Sequence, residues 1–363
     1  MATTTATAPR PLANSYTAGK LPGWAPWTML VVSWLVIGAV FAMLAASGAT
    51  KGFNIVGAVF FGTVLFDIAI YVTSLLIEGS RKAADRLVTS LVATAFIIAL
   101  LPLISLGWTV VSQGLARFDL AFFSESMRNV IGDGGGALHA IVGTLEITLL
   151  TAVISVPIGL LTSIYLVEYG RGVLARGITF FVDVMTGIPS IVAGLFAYAL
   201  FALFFGPSIR NGFMGAVALS VLMIPVVVRS SEEILRIVPN ELREASLALG
   251  VPKWLTVLKV VLPTSLAGLV TGVMLAIARV IGETAPLLIV AGFTTSMNYD
   301  PFNDRMMTLP VFVYTQYTQA AGLHAQASID RAWTGALALI IIVMLLNLIG
   351  RIIAKAFAPK YGR

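Results

Sequence analysis

The sequence contains no cysteine. That absence excludes disulfide staples, thiol nucleophiles and thiolate metal sites, and says little about redox compartment. Only His139 and His324 remain for imidazole metal or acid–base chemistry. Charge is scarce too, at 11% of 363 residues, against roughly a quarter in soluble domains. No GxxxxGK followed by Ser or Thr occurs; the one Gly-Lys pair, Gly19 and Lys20, precedes Leu21, so the chain carries no phosphate-cradling loop of that kind. HExxH and GxSxG are missing as well, which removes the usual metal and nucleophile sets of an intramembrane enzyme.

What fills the chain instead is apolar: 58% of residues are hydrophobic, too many for the remaining polar side chains to wet a globule of this size. The composition specifies an all-α membrane protein. Runs of about 20 apolar residues cross ~30 Å of hydrocarbon as helices. Eight such transmembrane helices are expected, near 26–47, 54–78, 87–112, 139–166, 178–205, 211–229, 265–293 and 333–354. Residues 1–24 are polar, with no short apolar core and cleavage site after them, so they are expected to form a disordered cytoplasmic tail rather than a signal peptide.

With a cytoplasmic amino terminus, the outside segments hold Lys51, Arg117, Arg128, Arg210, Arg305 and Arg331, Arg279 lies inside a span, and the other sixteen of 23 basic residues fall inside. This positive-inside bias predicts both termini in the cytoplasm. The net charge of +6 has no accompanying basic patch with interleaved aromatics, so it reports orientation rather than nucleic-acid binding.

The long inside loop 230–264 carries ordered helix signals. Ser230 and Glu233 have capping-box spacing, Pro239 is a stop, Asn240 is a candidate N-cap, and Gly250 is a candidate left-handed exit. The expected second helix is too short and charged to span. It presents Leu242, Ala245 and Leu249 on one face, suited to a partner's groove or to the lipid interface.

Within the run 265–293, a wheel at 100° per residue places Gly268, Gly272, Arg279, Gly282, Glu283 and Pro286 within about a third of the circumference. An Arg at bilayer depth costs at least ~2.5 kcal/mol on insertion scales and normally faces protein or water. Two readings stand side by side: an Arg279–Glu283 ion pair that neutralises both groups, or a guanidinium that offers forked donors to a tetrahedral oxyanion while Glu283 orients it.

Two sets of residues carry a resemblance. Glu244, Ala245, Ser246, Gly250, Leu262 and Pro263 resemble the EAA, three residues, G, nine residues, I-x-LP signature of ABC importer permeases, with Ser246 for the second Ala and Val260 for the Ile. The strings ARVIGETAPLL, VDVMTGIPSIVAGLFAYALF and LPVFVYTQY are similar to the PstA-type permease of phosphate-specific ABC importers, over roughly residues 86–355. The resemblance implies a type I permease core in the last six helices, with two added helices at 25–85 and a cytoplasmic tail at 356–363. It implies that Glu244, Ala245 and Gly250 dock a cytoplasmic ATPase, to which the apolar face adds Leu249, and that Arg279, Glu283 and Arg229 line the phosphate path. By the same resemblance, the partners are a second, related permease, an ATPase dimer that binds ATP and Mg, and an extracytoplasmic phosphate-binding protein, in a bacterial inner membrane; this chain itself binds no cofactor. An importer of another oxyanion and an ion-coupled anion carrier are the alternatives, the latter lacking a second copy of the Arg and Glu pattern.

Overall fold

The computed structural model describes residues 19–48 and 52–357. Most of the two expected tails, and Lys51, lie outside the described residues. Those described form fourteen α-helices and no strand: α1 (Ala25–Ala46), α2 (Ile55–Ile77), α3 (Ser80–Gly114), α4 (Leu120–Ser124), α5 (Leu138–Ile164), α6 (Gly172–Thr186), α7 (Ser190–Phe205), α8 (Gly212–Ile237), α9 (Asn240–Ala248), α10 (Lys253–Thr256), α11 (Leu262–Val280), α12 (Ala285–Val290), α13 (Leu309–Thr318) and α14 (Ala325–Phe357). Seven helical stretches are long and apolar enough to cross a bilayer, and eight if the bent pair α6 and α7 counts as one span. Two compact units divide within α3, between Leu106 and Gly107.

In the first unit α1 packs on α2 through Gly62, where a Cβ would sit 2.5 Å from Trp34 Cδ1. The Trp34 indole donates to Thr63 Oγ1 at 3.1 Å. Glu78, buried at the end of α2, accepts from Arg86 Nε at 2.6 Å, Ser74 Oγ at 2.8 Å and the Leu21 amide at 3.0 Å. A buried carboxylate with this many donors is satisfied. Asp67, for which the sequence offers no account, accepts from Ser90 Oγ.

In the second unit a buried cluster joins Ile147 of α5, Leu219, Met223 and Val227 of α8, Ala276 and Val280 of α11, and Leu287 of α12. Arg331 is 3% exposed and donates to the carbonyls of Gly132 at 2.8 Å and Gly134 at 3.0 Å. Arg117 donates to the Gly135 carbonyl at 3.0 Å. Gly134 and Gly135 are thus pinned through their carbonyls. His139 is 2% exposed with its ring 5.8 Å from that of Phe312.

Four expected elements need correction. The span 178–205 is not one helix: α6 and α7 meet at 109°. Gly187 has low helix propensity, and Pro189 donates no amide and pushes Ile188 out of helical geometry. The span 211–229 continues unbroken to Ile237, so Ser230 lies inside α8 and its hydroxyl bonds back to the Val227 carbonyl instead of closing a capping box. Val238 is extended because Pro239 follows it. Asn240 does not cap α9, whose N-cap position is held by Pro239. Finally, the run 265–293 is two helices, α11 and α12, with Ile281 to Thr284 between them. A continuous helix would press the Pro286 ring into the Gly282 carbonyl and lose that hydrogen bond.

Candidate functional site

The break after α11 falls deep in the bundle. Gly268 and Gly272 of α11 face Ile234 and Ser230 of α8, where added Cβ atoms would lie 2.7 Å from Ile234 Cγ2 and 2.8 Å from Ser230 Oγ. Small residues here let two antiparallel helices approach closely. At ~1.5 Å per residue, Ser230 is about 27 Å from the Gly212 end of α8, and Arg279 is about 10 Å from Gly272 back toward that end. Arg279 is therefore roughly 17 Å below the end of a helix about 39 Å long.

One residue past Arg279, α11 stops. A helix end leaves carbonyls without intrahelical donors, and at membrane depth such backbone is tolerated only against protein or a water-filled cavity. A cation in the last turn complements the negative pole of the helix dipole. Arg279 is exposed, Glu283 is half-buried, and among the described residues neither makes an ion pair or side-chain hydrogen bond. The Glu283 amide donates to the Val280 carbonyl at 3.1 Å, which shapes the turn. A Cβ on Gly282, between the two residues in the turn, would meet nothing within 4 Å. The shared stripe expected from a single helical wheel ends at Val280.

On the far side of the break, α12 is seated by two close contacts. A Cβ at Gly194 of α7 would come 2.7 Å from Pro286 Cα, and one at Gly215 of α8 would come 3.0 Å from Leu287 Cδ2. A Cβ at Gly187, by contrast, would have nothing nearer than its own turn's Val184 carbonyl at 3.5 Å.

Arg229 occupies a different level. Its guanidinium pairs with Asp183 of α6 and, at 2.9 Å, with Glu232 one turn along α8; Glu232 also holds Arg236 at 2.5 Å. Arg229 lies next to Ser230, opposite Gly272, so it and Arg279 are separated by about 10 Å along the bundle. The structure does not bring the two arginines together. The Arg229, Glu232, Arg236 ladder was open to detection from its i,i+3 and i,i+4 spacing; Asp183, far off in sequence, was not.

The segment 240–250, expected to dock an ATPase, forms a separate site. Helix α9 leaves Leu242 and Leu247 exposed, and Leu249 at its C-cap is 83% exposed. Glu244 and Ala245 are exposed beside them. Gly250 ends the segment at φ +78°, with nothing within 4 Å of an added Cβ, so backbone conformation rather than space selects glycine there. From beneath, Ser246 and Thr256 share a hydrogen bond of 2.9 Å. Arg243 reaches Glu168 at 2.9 Å, the Leu235 carbonyl at 2.9 Å and the Val238 carbonyl at 2.5 Å. One forked side chain thereby ties α9 to the end of α8 and to the π-helical turn Tyr165–Tyr169. No group of His, Asp or Glu among the described residues has the geometry of a metal site.

A family model described as binding-protein-dependent transport system inner membrane component matches residues 155–363. The chain is 45% identical to phosphate transport system permease protein PstA 1 of Mycobacterium tuberculosis (strain ATCC 25618 / H37Rv) over 271 residues, covering 74% of this chain and 86% of that one. It is 45% identical to PstA of Mycobacterium leprae (strain TN) over 279 residues, 76% and 90% of the two chains. PstA of Pasteurella multocida (strain Pm70) is 37% identical over 275 residues, 75% and 95%. Among solved structures, a bacterial alginate ABC transporter in complex with an alginate pentasaccharide-bound periplasmic protein aligns with a TM-score of 0.52 at 11% identity, covering 77% of this chain and 97% of that one. That likeness establishes the fold alone.

Proposed function

The chain belongs to the binding-protein-dependent transport system inner membrane component family, and from that premise we propose that it is the permease subunit through which an ATP-driven importer moves inorganic phosphate into the cytoplasm. The observation that carries this reading is Arg279: an exposed guanidinium, free of any carboxylate among the described residues, at a helix end about 17 Å inside the bundle. Its forked donors match a tetrahedral oxyanion, and the low dielectric around it strengthens each charge-assisted bond. Glu283, in the turn that follows the helix end, accepts a hydrogen bond from a protonated oxyanion and repels a fully ionised one. It would therefore favour hydrogen phosphate over sulfate.

In this reading residues 86–355 are the six-helix core and both termini are cytoplasmic. A second, related permease completes the path, and an extracytoplasmic phosphate-binding protein delivers the ion. The energy comes from a cytoplasmic ATPase dimer that binds ATP and Mg. Leu249 and the exposed residues Glu244 and Ala245 seat on that ATPase, while Gly250 sets the angle at which the chain leaves the helix. A helix whose partner prefers one of two states transmits only that difference in affinity. Arg243 is placed to deliver it, because it fixes α9 rigidly to the ends of two long helices. Arg229, held by Asp183 and Glu232, guards the inner end of the path.

The test is labelled phosphate uptake in cells lacking the gene, complemented with wild type or Arg279→Ala at matched membrane abundance. Wild type restores uptake and the Ala variant does not. Full uptake with Arg279→Ala overturns the role given to that residue, and no uptake with either, when the partner subunits are present, overturns phosphate as the cargo.

A further inference from the structure

Behind the coupling helix lies a cleft of about 460 Å³, bounded by the end of α5 and its π-helical turn, the end of α8, α9 and the start of α10. Arg171, Arg236, Arg243 and Lys253 line it, with Glu168 the one carboxylate. Its volume falls within the ~300–1,000 Å³ of small-molecule sites.

The charges in this cleft are unevenly used. Arg243 spends its donors on Glu168 and on main-chain carbonyls. Arg236 leans on Glu232, outside the cleft. Lys253 donates to the main-chain carbonyl of Glu168 and lies 5.0 Å over the Tyr169 ring, contacts that leave its charge uncompensated by any carboxylate. Arg171 is exposed and its side chain has no partner among the described residues. Glu168 is already committed to Arg243, so the net charge of the lining is unbalanced toward the positive. Next along the chain from Arg171 and Lys253 stand exposed apolar side chains: Val173 at 78%, Leu174 at 64% and Trp254 at 59%. Apolar and Trp side chains flanking cations are the pattern of a membrane–water boundary, where basic pockets between helices bind anionic headgroups.

We propose that this cleft binds a phosphate group, supplied by an acidic phospholipid headgroup or by free inorganic phosphate, through Arg171 and Lys253. Occupancy links the start of α10, which follows the coupling helix, to the start of α6 and adds a tie that Arg243 does not make. The site does not depend on which ion the permease carries, so a failed uptake test leaves it standing.

The experiment uses the full chain purified in a zwitterionic detergent. Binding and melting temperature are followed as short-chain phosphatidylglycerol, short-chain phosphatidylcholine or inorganic phosphate is titrated in. Phosphatidylglycerol binds and raises the melting temperature, and phosphatidylcholine does not. Each cation near an anionic headgroup is worth about fivefold in affinity, so Arg171→Gln and Lys253→Gln each weaken binding roughly fivefold, while the charge-keeping Arg171→Lys binds nearly as wild type. Inorganic phosphate binding with the same losses identifies the free ion as the source and upholds the site. The proposal is overturned if the Arg171→Gln, Lys253→Gln double variant binds both probes as tightly as wild type, or if wild type binds neither.

Discussion

Arg229 of α8 is paired with Asp183 of α6, 46 residues away in sequence. The aspartate precedes the 109° elbow between α6 and α7, so this ion pair ties the bent helix pair to α8 on the same side chain that contacts Glu232.

The two side chains of that bridge are 34% and 57% exposed, so solvent screens the attraction. A double-mutant cycle with Arg229→Gln and Asp183→Asn is expected to give a coupling energy of only about 0.2–1 kcal/mol in stability. Phosphate uptake should fall further than this in Asp183→Asn, since the arginine then loses its orientation. Uptake that tracks stability alone would assign the pair a purely structural role.

Arg243 and Glu168 behave differently, with side chains 15% and 6% exposed. Removing the cation strands a buried carboxylate and frees two carbonyls, at a cost of about 3–5 kcal/mol. Arg243→Ala should therefore loosen α9, read as faster proteolytic cleavage between residues 238 and 253. Arg243→Lys should not rescue it, because a single ammonium lacks the fork that reaches Glu168, Leu235 and Val238 together.

Gly250 gives a test that separates conformation from bulk. Its φ of +78° makes Gly250→Ala cost roughly 1–2 kcal/mol with no clash, while Asn tolerates that region better. Co-purification of an ATPase should weaken with Ala and recover in part with Asn. Equal capture by all three would show that the exit angle does not matter.

Two further glycines predict opposite outcomes. A Cβ at Gly143 of α5 would collide with the Met307 carbonyl oxygen, a backbone atom that cannot turn aside, so Gly143→Ala should cost about 1–3 kcal/mol in thermal stability. Gly282→Ala meets open space and should leave stability nearly unchanged. If Gly282→Ala proves as destabilising as Gly143→Ala, the space beside Glu283 is filled in the working protein.

Residue chemistry alone settled the membrane, the helical class and two local stops, Pro239 and Gly250, but not the Ser230 and Asn240 caps. Hydrocarbon admits only segments that satisfy their own backbone, so runs of about 20 apolar residues announce themselves by length. Gly250 and Pro239 act locally, through allowed φ values and a missing amide, and their effects needed no neighbours. Arg279 was equally legible, as a charge where none is free of cost. Tertiary structure decided the rest. Whether Arg279 pairs with Glu283 turned on the end of α11 at Val280; the Gly282 and Pro286 signals were present, but a wheel assumes the helix it is drawn on. Asp183 with Arg229 and Glu168 with Arg243 lie 46 and 75 residues apart, and partners at such separations are chosen by how the helices pack. Periodicity along one helix holds no information about which other helix will face it.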